Sequence, residues 1–279
     1  GRKVYRLQNA NCVEYTTKTW NTSLAGFSAI NTRCTSRKSD VLNSNQRKSM
    51  EKQMGDRLAG KRVLVTQADD YMGPATIELF TEEGAEVLAD HSDLTVAGRC
   101  SALIKEHGHI DVLVANLASP NFTGIPATEL ADEDWYCTFN MMVHPLHQLC
   151  QAVVPQMIER QAGKIVVFGS ATALKGMPTV TAYSAARAAQ AGYVRSLGVE
   201  IAKHNIQANL IAQNYVENPV YYPPELREKE SFQKSLARQV PLGRLATARE
   251  DALFALFLAS DESDFFVGQS IAFSGGWTQ

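Results

Sequence analysis

VLVTQADDYMGPAT, residues 63–76, reads as an apolar strand, a turn and the first residues of a helix. A strand that passes through a short turn into a helix opens a parallel α/β sheet. In nucleotide-binding sheets that turn carries glycines, so that backbone N–H groups can approach a phosphate closely. Here the turn holds Gln67, Asp69, Asp70 and Tyr71, and only Gly73 remains. A Cβ or a phenol blocks that approach, and two carboxylates repel a dianion.

Downstream, short apolar runs alternate with helical stretches. Strands are predicted at 62–66, 86–90, 111–115, 164–169, 207–212 and 270–273, and helices near 73–83, 95–107, 133–160, 181–203 and 247–260. This alternation predicts an α/β fold, a Rossmann-like doubly wound parallel sheet in three αβα layers. Ligands in such sheets bind beyond the C-terminal strand ends. Between Glu86 and Asn116 there is room for one helix, LTVAGRCSALIKEHG, and not for the extra strand and helix that usually wall an adenine.

The chain has 279 residues, 45% of them apolar, enough for one large core. Its net charge of −2 is unevenly spread: residues 1–55 carry ten Lys/Arg against three Asp/Glu, leaving 17 against 26 in the remainder. A remainder that acidic does not suit a nucleic-acid backbone. No apolar run is long enough to cross a bilayer. The five cysteines are scattered, with no CxxC pair, which fits a reducing compartment and a cytoplasmic location. Residues 1–55 are expected to form a basic, disordered N-terminal extension, with residues 56–279 as the catalytic domain. A transit segment would share that composition, but its amphipathic stripe is missing.

The strand KIVVFGS delivers Ser170 to a C-terminal strand end, and thirteen residues later YSAAR opens a long helix. Tyr183 and Arg187 are four apart, on one helical face. The set resembles the short-chain dehydrogenase/reductase superfamily, whose Ser…Tyr-x-x-x-Lys pattern matches Ser170, Tyr183 and, with a substitution, Arg187. GHIDVLVAN, QAVVPQM and PLGRLATAREDALFALFLASDES extend the likeness over roughly residues 58–277. The departures are specific. Thr-Gly-x-x-x-Gly-x-Gly has become Thr66-Gln67-Ala68-Asp69-Asp70-Tyr71-Met72-Gly73, and Gln213-Asn214 replaces Pro-Gly after HNIQANLIA. Met142 stands near the place of the relay Asn.

With Ser-Tyr-Arg, a bulky aromatic in the first turn and the loop NYVENPVYYPPE, the sequence is similar to the halohydrin dehalogenases. That resemblance implies a cofactor-independent carbon–halogen lyase acting on vicinal haloalcohols, with epoxide opening by small anions in reverse. It also implies a halide site in place of nicotinamide, and a homotetramer built through the helices near 133–160 and 181–203. A phenol with a pKa near 10 costs roughly 4 kcal/mol to ionise at neutral pH, and a nearby guanidinium typically lowers an acid's pKa by about 1–3 units. Arg187 is therefore the expected activator of Tyr183, the base, and Ser170 the donor to the substrate oxygen. Gln213, Asn214, Tyr215, Val216, Tyr221 and Tyr222 are expected around the halide. Tyr71, Asn116, Pro120, Phe122 and Thr172 complete the expected pocket lining.

Other residues carry plainer readings. Asp90, at the place of a ribose-binding acid, reads as structural once the glycines are gone. His144 and His147 have a metal-pair spacing without a third ligand and read as packing. Cys137 and Cys150 read as unreactive thiols. Two other functions share this frame: a divergent NAD(P)-dependent reductase with a rearranged turn, and a non-catalytic binding relative, which would have no need for an activated phenol.

Overall fold

The computed structural model describes residues 55–120 and 124–279. The expected leader and Phe122 lie outside the described residues. Six parallel strands form one sheet in the order β2-β1-β3-β4-β5-β6. They are β1 (Arg62–Val65), β2 (Glu86–Ala89), β3 (Val112–Asn116), β4 (Gly163–Phe168), β5 (Ile206–Gln213) and β6 (Ser270–Phe273). The predicted strands are all present, with ends moved by a residue. Among the described residues nothing pairs beyond β2, so the sheet stops where the short Glu86–Asn116 segment said it would.

The central strands are apolar throughout because both faces are covered. Leu64, Leu113, Ile165 and Leu210 point into a core shared with the helices Arg99–His107, His144–Arg160 and Thr181–Ile201. Val63, Val65, Val112, Val114, Val166 and Ile211 point the other way, onto the helices Gly73–Glu82 and Ala248–Ala259. Two helical layers thus sandwich the sheet, the three-layer arrangement expected.

The helix expected over 133–160 is two: Asp132–Met142 and His144–Arg160, divided at Val143. Pro145 explains the break, since it has no N–H to donate and its ring crowds the carbonyl four residues back. Two further helices, Pro224–Arg227 and Glu230–Gln239, follow the aromatic loop after β5 and were not foreseen. Their Leu236 packs with Val240, Leu245, Tyr215, Tyr222 and Phe232 in a small satellite core that backs the loop. Among the described residues no helix is long and apolar enough to cross a membrane.

Candidate active site

Ser170 follows β4, Tyr183 and Arg187 lie in the first two turns of Thr181–Ile201, and all three line a cavity of about 270 Å3 at the C-terminal ends of the strands. Asn116, Thr172, Gln213, Asn214, Tyr215, Val216, Tyr71, Tyr221 and Tyr222 line it too. Pro120 is exposed and does not. Ala118, Phe168, Met177, Val180 and Asn218 also face the cavity. They escaped sequence reading because only the folded topology brings them there. A larger open groove of about 620 Å3, near His109, Gln156 and Arg160, lies at the N-terminal strand ends, away from these groups.

Ser170 is buried, and its Oγ accepts from the Thr172 N–H at 3.2 Å and from Thr172 Oγ1 at 3.0 Å. With both lone-pair directions used, its own O–H is left to donate. Arg187 is only 3% exposed. Its Nη1 donates to Leu117 O (2.9 Å), Phe168 O (2.8 Å) and Gln190 Oε1 (3.0 Å), and its Cζ stands 5.0 Å from the centre of the Tyr183 ring. Gln190, unnoticed in the sequence, donates in turn to Met142 O at 2.8 Å. Met142 itself is fully buried outside the cavity lining, so no relay amide stands there.

The turn after β1 is filled. Gln67 and Tyr71 stand at the two lost glycine positions, and both keep the left-handed backbone a glycine would adopt, with φ of 45° and 52°. Tyr71 OH donates to Ser119 O at 3.2 Å. Gln67 Nε2 donates to Ala118 O at 3.2 Å, and the Ala118 N–H returns a bond to Gln67 Oε1 at 2.8 Å. Three of the turn's own N–H groups are engaged as well, Ala68 with Asp90 O, Asp70 with Gln67 O and Gly73 with Asp70 O. Gly73 has to remain glycine, because a Cβ there would meet Ala68 O at 2.4 Å. Asp69 and Asp70 are exposed, and Asp69 pairs with His91 at 2.6 Å. These residues do not fit the pyrophosphate of a dinucleotide: side chains fill the space the glycines would leave, three of the N–H donors are occupied and the local charge is negative.

Aromatic side chains close the rest. The rings of Tyr71 and Tyr221 are 5.5 Å apart, and Tyr215 stacks on Tyr222 at 6.1 Å. Burial pushes the phenols of Tyr71, Tyr215, Tyr221 and Tyr222 up, so these walls stay neutral at physiological pH. Backbone N–H groups of the loop are partly consumed: Asn214 Oδ1 takes the Tyr215 N–H, and Asn218 Oδ1 takes those of Val220 and Tyr221. Among the described residues Asn214 Nδ2 is buried without a hydrogen-bond partner.

Asp90 is buried and accepts from the N–H and the hydroxyl of Ser92, with Arg99 at 3.7 Å, in keeping with the structural reading. His147 packs edge-on to Tyr193 at 5.9 Å. Among the described residues no group of His, Cys, Asp or Glu is placed to hold a metal. Burial raises the Cys150 thiol to about 12.

A doubly wound sheet with a serine after β4, and a tyrosine one helical turn before a buried cation, defines a short-chain dehydrogenase/reductase enzyme. Residues 57–278 match the family described as Enoyl-(Acyl carrier protein) reductase, and the chain belongs to that family within the superfamily. It is 32% identical over 248 residues to the 3-oxoacyl-(acyl-carrier-protein) reductase of Thermotoga maritima, covering 79% of this chain and 98% of that protein. Among solved structures it is similar to a protein named a dehalogenation enzyme, at 32% identity and a TM-score of 0.74, covering 79% of this chain and 99% of the other. It is also similar to a gluconate 5-dehydrogenase from Burkholderia cenocepacia in complex with NADP and tartrate, at 27% identity and a TM-score of 0.73, covering 79% and 96%.

Proposed function

We propose that this enzyme is a cytoplasmic halohydrin dehalogenase that works without a coenzyme. The observation that carries the reading is the filled turn: Gln67 and Tyr71 occupy the two glycine positions and are bonded across to Ala118 and Ser119. What remains is a phenol beside a guanidinium in a small aromatic cavity, which suits a reaction that moves a proton and a leaving group but no hydride.

In this reading Tyr183 takes the proton of the substrate hydroxyl while Ser170 donates a hydrogen bond to the same oxygen. The alkoxide attacks the neighbouring carbon; a C–O bond forms, the C–halogen bond breaks, and halide departs with the bonding pair to leave an epoxide. Arg187 supplies the guanidinium beside the Tyr183 ring in the buried site. The halide is received by the loop after β5, whose Asn214 lines the cavity. In reverse, a small anion opens the epoxide. The working assembly is a homotetramer, a size that light scattering would measure.

A second reading, a divergent NAD(P)-dependent reductase, draws on the names of the reductase relatives. The two part on one experiment. Purified protein given a vicinal bromoalcohol without coenzyme releases bromide and acid in the first reading; in the second it binds NADPH tightly and releases no bromide.

A further inference from the structure

We infer that Gln67, besides filling the turn, is a positioning residue for Arg187, an inference that rests on reading Ser170, Tyr183 and Arg187 as the reacting set. Gln67 holds a left-handed backbone, φ 45°, which a residue with a Cβ adopts only against steric opposition. The opposing hold is the pair of hydrogen bonds between its amide and the main chain of Ala118, Nε2 to O at 3.2 Å and N–H to Oε1 at 2.8 Å, closed like a rung of sheet.

The position of that rung matters because of its neighbour. Arg187 Nη1 has two main-chain acceptors, Phe168 O and Leu117 O. Phe168 is the last residue of β4 and is fixed by the ladder, paired with Asn116. Leu117 lies one residue past the end of β3, where pairing to β4 has stopped. Its carbonyl is aimed by what anchors the residues on either side. Asn116 Nδ2 donates to Gln67 O and Asp70 O, each at 2.9 Å, and Ala118 is held by the Gln67 amide. The turn thus grips Leu117 from both flanks, and Leu117 in turn sets one edge of the guanidinium. The side chain that denies a dinucleotide its place also steadies the cation beside Tyr183.

The test uses Gln67→Asn, which tolerates the left-handed backbone but is one methylene too short, and Gln67→Gly, which relaxes that backbone and removes the amide. Both are expected to lower kcat for bromide release about tenfold or more, with KM within about twofold, because a displaced cation spoils the reacting geometry rather than binding. Melting temperatures of Gln67→Asn, Arg187→Lys and the double variant form a cycle that needs no substrate, and the double variant is expected to lose less than the sum of the two. Full kcat in Gln67→Gly, or strictly additive losses in melting temperature, overturns the inference. Absence of bromide release from the unaltered protein strikes the dehalogenase reading instead, and the melting cycle still decides the positioning role.

Discussion

The guanidinium carbon of Arg187 stands 5.0 Å from the centre of the Tyr183 ring, one turn along the same helix. At that separation a cation is attracted to an aromatic face. Its bonds to Leu117 O, Phe168 O and Gln190 Oε1 keep it there, and among the described residues no carboxylate pairs with it. The site therefore sets a guanidinium beside Tyr183, and the following expectations start from that pair.

Tyr183→Phe keeps the ring and removes only the oxygen. Halide release should fall by about 10²–10⁴ while stability stays within roughly 0.5 kcal/mol, measured by bromide electrode and thermal melting. Undiminished turnover would remove Tyr183 as the base.

Arg187→Lys exchanges a planar fork for a point charge that cannot reach the same acceptors. Because the residue is 3% exposed, the change should lower unfolding stability by roughly 2–4 kcal/mol as well as kcat. Urea denaturation reads the first and steady-state kinetics the second; wild-type values in both would contradict the arrangement.

Asp251 is fully buried, both its carboxyl oxygens lack a partner among the described residues, and burial raises its pKa well above the carboxylate range. The folded protein keeps this proton at pH values where the unfolded chain has released it, so this group makes stability decline as pH rises above about 4 toward the raised value. Asp251→Asn should flatten that decline in melts taken from pH 4 to pH 8. An unchanged slope would show that other groups set it.

Thr247 caps the helix Ala248–Ala259: its hydroxyl accepts from the Glu250 N–H, and the Glu250 carboxylate accepts from the Thr247 N–H. Arg244 is the largest cause holding Glu250 down at about 2. This group's contribution is present above the ordinary carboxylate range and disappears as pH falls through about 2. Thr247→Ala should cost about 1 kcal/mol at neutral pH; a silent substitution would mean that the box adds nothing.

The sheet was legible because each strand is a short apolar run between helical stretches, and the missing edge was legible from length alone. That Ser170, Tyr183 and Arg187 face one cavity was legible because their spacing survives substitution of one member. The division of the helices at Val143 was not, since VHPLHQL keeps its apolar period across the break and only Pro145 hints at it. The helix Glu230–Gln239 was hidden because it has a single buried residue, Leu236. Pro120 was expected in the pocket from its place after β3, but the chain turns it to solvent. Gln67 was read as an obstruction only, because its bonds to Ala118 span 51 positions that no local pattern connects.

The central claim is that the filled turn leaves a phenol to work without a coenzyme. The most direct measurement is bromide release from 1,3-dibromo-2-propanol by protein freed of nucleotide, with and without added NADPH. The account predicts equal release in both, abolished by Tyr183→Phe. No bromide in either, with tight NADPH binding by calorimetry, would contradict it.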